Sequence, residues 1–212
     1  CNKIKVKYEV CVSLEFPLEK IYKNFNNNIS MQNNSRYLTL NQCFESYIQP
    51  TLFTGDNSAY CNECKQNTNS IYTTNLYFVS PILILVLNRG KGNVFDCVVD
   101  FPELLDIRQY VINSNSNNIF KLYGVISHLG ESGMGGHFIA YCRHRINKNW
   151  YCYNDSIVTL CTDQVNDYKN GTPYILFYES TQGNNNILSD EYSDENNEKP
   201  NYNYNLVNGM NN

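Results

Sequence analysis

The sequence predicts a β-rich α+β fold, and three observations carry that prediction. Apolar and polar residues alternate over residues 4–16, the period of a half-buried strand. Residues 82–87 are apolar without interruption and strand-sized, as a central strand covered on both faces requires. From Ile119 onward the chain reads as a series of short strands. With 212 residues, 42% hydrophobic and 14% aromatic, there is material for one domain with a core and a tail.

In order, Ile4, Val6, Tyr8, Val10, Val12, Leu14 and Phe16 form the apolar side of the first strand, which Pro17 stops. Residues 22–37 are polar and Asn-rich and read as a loop. Thr39 and Gln42 have the spacing of a capping box. Leu40, Phe44, Tyr47 and Ile48 then share one helical face, and Pro50 ends the helix. Strands are expected at 71–79, 82–87, 119–128, 136–143, 149–153 and 172–179, with a turn over 144–148 and a short helix near 163–168. From Thr181 the composition falls to Asn, Asp, Glu, Ser and Tyr, too polar to offset chain entropy, so residues 181–212 are expected to form a disordered tail.

Composition also excludes. A formal net charge of −4 gives no basic footprint for nucleic acid. No apolar run reaches the roughly 18–20 residues that span a bilayer. The N-terminus lacks a secretory pattern. Nine cysteines are scattered mostly through apolar runs, where a thiol packs as a small hydrophobe. This reads as a reducing intracellular compartment, cytoplasmic or nuclear. A chain opening on Cys1-Asn2-Lys3 reads as part of a longer protein.

The segment richest in chemistry runs Gly135-Gly136-His137-Phe138-Ile139-Ala140-Tyr141, then Trp150-Tyr151-Cys152-Tyr153-Asn154-Asp155-Ser156. His137 opens one predicted strand after a Gly-rich loop, 130–136. Asn154 and Asp155 close the next strand. If the two form an antiparallel hairpin, the start of one lies beside the end of the other, bringing Asn154 or Asp155 to the imidazole. A histidine acting as general base needs such an acceptor on its far nitrogen to hold one tautomer. The glycines leave room for a substrate backbone. His128, Glu131 and His137 fit no helical His-Glu-x-x-His metal spacing, and His144 falls in a polar turn.

These two runs resemble the His box of the ubiquitin-specific proteases, a papain-like cysteine protease family. Other pieces agree. Residues 83–89 are similar to its Leu-x-Leu-x-Arg-Phe strand, with Gly90 standing where Phe is usual. Asp100-Phe101-Pro102, Tyr123-Gly124-Val125-Ile126-Ser127-His128 and Pro173-Tyr174-Ile175-Leu176-Phe177-Tyr178 resemble later family segments. The resemblance covers about residues 1–179. It implies His137 as general base, Asn154 as the third triad member and Asp155 assisting. It also implies substrate-binding positions at Gly133, Gly135, Gly136 and Tyr141, the glycines falling on the 130–136 loop, which matches one that closes over the ubiquitin C-terminal Gly-Gly. The family's Gly-Asn-Thr-Cys box, which supplies nucleophile and oxyanion donor, is absent from the sequence.

The family inserts a zinc ribbon with two Cys-x-x-Cys pairs. Cys61 and Cys64 form one such pair. Cys1, placed before Tyr8-Glu9 as the second cysteine of the other pair would be, looks like a third zinc ligand. The resemblance therefore implies papain-like architecture: residues 1–79 mainly fingers, 80–180 palm, the thumb half missing. It implies hydrolysis of the isopeptide bond after the ubiquitin C-terminal Gly, with ubiquitin or ubiquitinated proteins as partners. The alternative is an inactive ubiquitin-binding or zinc-ribbon interaction module.

Overall fold

Leu83, Leu85 and Leu87 are buried on one side of a seven-residue strand, and the main sheet assembles around them. The computed structural model describes residues 4–26, 37–90, 97–113, 118–130, 136–162 and 172–182. In chain order the first elements are β1 (Leu14–Pro17), α1 (Leu18–Asn26), β2 (Tyr37–Thr39), α2 (Leu40–Ile48), β3 (Thr51–Phe53), β4 (Ala59–Cys61), β5 (Gln66–Thr68) and β6 (Ser70–Tyr72). They are followed by β7 (Ile82–Asn88), β8 (Val98–Asp100), β9 (Leu104–Asp106), β10 (Ile119–Leu129), β11 (His137–Arg143), β12 (Trp150–Asn154), β13 (Ile157–Leu160) and β14 (Thr172–Ser180). The main sheet runs β1-β7-β14-β10-β11-β12-β13, and β9 adds to β10. Only β1 and β7 pair in parallel within it. The fold is β-rich with two α-helices among the described residues.

Both helices cover one face of that sheet. Thr39 caps α2 as its spacing predicts: its hydroxyl accepts from the Gln42 N–H at 3.2 Å, and Gln42 Oε1 accepts from the Thr39 N–H at 2.8 Å. Phe44 on α2 stacks on Tyr110 at 5.0 Å and meets the edge of Phe16 at 5.1 Å. Leu18 and Ile21 of α1 join them, with Leu85, Leu87, Phe120, Leu122, Leu176 and Tyr178 below. Each such side chain contributes about 1.5–3 kcal/mol by leaving water.

Several sequence expectations are corrected. The strand over 4–16 is confined to β1. Ile4, Val6, Tyr8, Val10 and Val12 are all exposed, Val10 completely. Alternation encodes a face, but a strand also needs a hydrogen-bonding neighbour, and no described strand pairs with residues 4–13. The loop expected from residue 22 is partly helix. Leu18, Ile21, Tyr22 and Phe25 repeat at helical spacing toward the core, and Lys23 donates to Glu19 one turn away at 2.6 Å; the Asn content concealed that period. The strand at 71–79 shortens to β6, and β13 was not anticipated. The strand β7 lies between two neighbours as expected, yet only its odd-numbered face is fully buried. The helix near 163–168 and the tail from Gly183 lie outside the described residues.

The strand β7 delivers Arg89 into the interior, where it is 1% exposed. Its Nε donates to the Pro173 carbonyl at 2.9 Å and its Nη1 to the Cys97 carbonyl at 2.6 Å. The guanidinium also lies 5.8 Å from the Tyr174 ring centre, in cation–π range. One side chain therefore joins the end of β7, the start of β14 and the approach to β8. Arg89→Met would keep the volume and strand these carbonyls. It is expected to cost about 2–4 kcal/mol, since an orphaned buried acceptor costs roughly 1–3 kcal/mol. Urea unfolding measures this, and a loss below about 0.5 kcal/mol would mean that the clamp does not hold the sheet.

Candidate active site

The site forms at the end of the sheet where β11 begins and β12 ends. Ala140 pairs with Tyr153, Tyr141 with Cys152 and Arg143 with Trp150. Continuing that register sets Asn154 opposite Ile139. His137 is two residues from Ile139 and so projects from the same face. Diagonal cross-strand neighbours lie about 7–8 Å apart at the backbone, within reach of longer side chains. Here His137 Nε2 lies 2.6 Å from Asn154 Oδ1. Since the amide oxygen can only accept, Nε2 carries the proton and Nδ1 is left with its lone pair.

Asp155 stands next in line. It takes a left-handed backbone (φ 51°) at the tight turn from β12 to β13, a conformation Asp tolerates. Its Oδ2 is 3.8 Å from His137 Nε2, with 80% of its side chain exposed. That is beyond hydrogen-bond range, and solvent screens the charge. Asn154 orients the ring, and Asp155 adds a weak field.

Of the other sequence-derived positions, Tyr141 is buried among the core residues on the His137 face. Gly136 immediately precedes His137 with φ 153°. Gly133 and Gly135 lie outside the described residues. His144 accepts the N–H groups of Ile146 and Asn147 on Nδ1, both at 3.3 Å, and so builds the turn between β11 and β12. Two contributors carried no assigned role in the sequence reading. Arg89 was visible only as part of a motif. His128 was quoted as the end of a family-like strand and weighed as a metal ligand, whereas it packs under Gly136 and edge-to-face with Phe138. An apolar strand ending in a single Arg, and a His facing a Gly across a hairpin, are the signals that could have marked them.

The Cys61–Cys64 pair occupies the turn between β4 and β5, closed by Lys65 N–H donating to the Cys61 carbonyl at 2.7 Å. Backbone N–H groups of Cys64, then Glu63, donate to the Cys61 sulfur and hold its thiol below the ordinary range. Two soft thiolate donors presented by one turn suit zinc. Cys1 lies outside the described residues, and among those described no three metal-binding side chains gather.

Comparison with known proteins gives this geometry a family. The ubiquitin carboxyl-terminal hydrolase family profile matches residues 12–178. The chain belongs to the ubiquitin carboxyl-terminal hydrolase family. The match runs from β1 almost to the end of β14 and includes His137, Asn154 and Asp155. Among similar proteins, the ubiquitin carboxyl-terminal hydrolase Usp2 of Drosophila melanogaster is 30% identical over 67% of this chain and 16% of its own length. Ubiquitin carboxyl-terminal hydrolase 2 of Gallus gallus is 30% identical over 67% of this chain and 41% of its own. The ubiquitin carboxyl-terminal hydrolase 17-like protein 15 of Homo sapiens is 31% identical over 66% and 26%. The matched region thus spans 16–41% of the length of these hydrolases. Among solved structures, a SAGA DUB module bound to monoubiquitin aligns at 25% identity and TM-score 0.55, over 70% of this chain and 37% of that one. A further SAGA DUB module aligns at 25% identity and TM-score 0.53, over 70% and 38%.

The cysteines differ in readiness to react. Burial pushes the Cys43 thiol up to about 12, whereas Cys61 is shifted down and so keeps its thiolate at lower pH. At pH 7.5 iodoacetamide is expected to label Cys61 well before Cys43, and labelling of Cys61 should fade only as the pH is lowered. Peptide mass mapping reads the order. Equal rates would contradict the N–H contacts to the Cys61 sulfur and the burial of Cys43.

Proposed function

We propose that this chain is the general-base half of a thiol-dependent ubiquitin C-terminal hydrolase. The observation that carries the reading is the 2.6 Å contact of His137 Nε2 with Asn154 Oδ1. With Nε2–H committed to the amide, Nδ1 is the nitrogen free to take a proton. His137 is in addition only partly covered by its surroundings, with 43% of its side chain exposed.

The chemistry then follows in balanced steps. A cysteine thiol gives its proton to His137 Nδ1 as the sulfur attacks the carbonyl carbon of the ubiquitin C-terminal Gly. The imidazolium returns that proton to the departing lysine amine, leaving a thioester. Water attacks the thioester, His137 takes the water proton, and the proton passes back to the sulfur. Asn154 holds the ring plane throughout, and a neutral amide suffices because thiolate and imidazolium stabilise each other. None of the nine cysteines follows a Gly-Asn-Thr run, and among the described residues no cysteine hydrogen-bonds His137. The nucleophile is assigned to a Cys box outside residues 1–212.

The fingers reading belongs to the same proposal. Cys61 and Cys64 would supply two thiolates to a structural zinc, with Cys1 as the third and the fourth ligand outside the chain. The ion would tie the tip of the fingers together. Gly133, Gly135 and Gly136 would let the ubiquitin tail pass close to the backbone. A cytoplasmic or nuclear setting suits this chemistry.

The test uses a ubiquitin C-terminal fluorogenic reporter. The 212-residue chain alone is expected to show no turnover. A polypeptide joining it to a Cys-box segment should turn over, and His137→Gln there should lower kcat/KM by about 10²- to 10⁴-fold, the usual worth of a general base. Asn154→Ala should cost less, about ten- to a hundred-fold, since the ring is kept but no longer held. Turnover by the chain alone, abolished by alkylating one of its cysteines, would overturn the external nucleophile. An unaffected His137→Gln enzyme would overturn the base, and binding of ubiquitin without turnover by the joined polypeptide would leave the ubiquitin-binding module.

A further inference from the structure

Strands β10 and β11 pair antiparallel, and Gly136, the residue just before β11, meets an obstacle. A Cβ placed on Gly136 would lie 2.1 Å from His128 Nε2, 2.3 Å from its Cε1 and 2.7 Å from the Leu129 carbonyl oxygen. No side chain fits there. The backbone angle of 153° adds a conformation that side-chain-bearing residues rarely adopt. The imidazole edge of His128 fills the space where a side chain at 136 would stand.

His128 is itself held fast. It pairs with Phe138 across β10 and β11, so Gly136 is its diagonal neighbour on the same face. Its ring lies 5.0 Å from Phe138 and 5.9 Å from Tyr174, both inclined, and those two rings meet edge-on at 5.3 Å. Tyr174 sits at an irregularity of β14, where Ile126 pairs with Ile175 but Ser127 pairs with Pro173. That irregularity brings Tyr174 toward His128 while Arg89 holds the neighbouring Pro173 carbonyl. The result is a three-ring cluster on the opposite side of the sheet from the His137 ring. His128 is 8% exposed within it although Phe138 is 55% exposed.

We infer that His128 is a positioning residue: its imidazole is the strut against which the Gly136 backbone seats, and this fixes the entry angle of His137 toward Asn154. The meaning for catalysis rests on the reading of His137 as general base, but the positioning itself does not. The peptide joining Gly136 to His137 is the last backbone link before the ring. A shift of about 1 Å at such a link can cost a hundredfold in rate even when the chemistry is intact. The strut explains why the ring at 128 and the bare backbone at 136 must occur together: enlarging either one displaces the other.

The experiment follows the His137 ring N–H in the 212-residue chain by NMR, which needs no turnover. Its solvent exchange reports how often the bond to Asn154 opens. His128→Ala should speed that exchange by about ten-fold or more, as local opening becomes easier. Leu105→Ala, a buried change on β9 paired with Phe120 at the opposite end of β10 from His128, should lower Tm comparably and leave the exchange unchanged. His128→Gln, neutral and close in length, folds more readily and should give an intermediate rate; it decides the matter if the Ala variant does not fold. Unchanged exchange in the folded His128 variants would overturn the inference, as would an equal rise in Leu105→Ala. Failure of the reporter assay above would leave this result standing, and the reverse also holds.

Discussion

The bond between His137 Nε2 and Asn154 Oδ1 is the point on which the site depends. It is short only because β11 and β12 are paired in one register. A slip of a single residue would turn His137 to the other face of the sheet and leave Asn154 facing a different neighbour. That register is secured from outside the hairpin. The strand β11 is locked to β10 over six residue pairs, β10 to β14 and β14 to β7. The bond thus inherits its precision from strands that come from distant parts of the sequence.

Arg89 is where that chain of strands is tied. A guanidinium 1% exposed would be expensive to bury without acceptors. It finds the Pro173 and Cys97 carbonyls and the face of Tyr174. Through Tyr174 and His128 the same anchoring reaches Gly136, the residue before His137. The two faces of the sheet therefore have different tasks at this end. One presents the His137 ring, and the other braces the backbone beneath it.

Much of this was legible in the sequence, and the failures share a cause. The capping box at Thr39, the apolar strand at 82–87 and the His137–Asn154 hairpin were readable because their signals are local: a pair at fixed spacing, an unbroken run, two strands joined by a short turn. Residues 4–13 failed because alternation announces a buried face without supplying the neighbour that buries it, and Val10 remains fully exposed. The helix α1 was missed because Asn24 and the Asn-rich run after it outweighed Leu18, Ile21 and Phe25 at helical spacing. The strand β13 is exposed at every residue, so it has no periodicity to detect. The roles of Arg89 and His128 depend on contacts with Pro173, Cys97 and Gly136, which no local pattern encodes.

The central claim is that Asn154 holds His137 as the Nε2–H tautomer, with Nδ1 open for a thiol proton. The most direct test is the 15N spectrum of the His137 ring at a pH where it is neutral. The account predicts an unprotonated, pyridine-type Nδ1 and a protonated, pyrrole-type Nε2, with that distinction weakened in Asn154→Ala. The reversed pattern, or a ring averaging between tautomers with Asn154 in place, would contradict it.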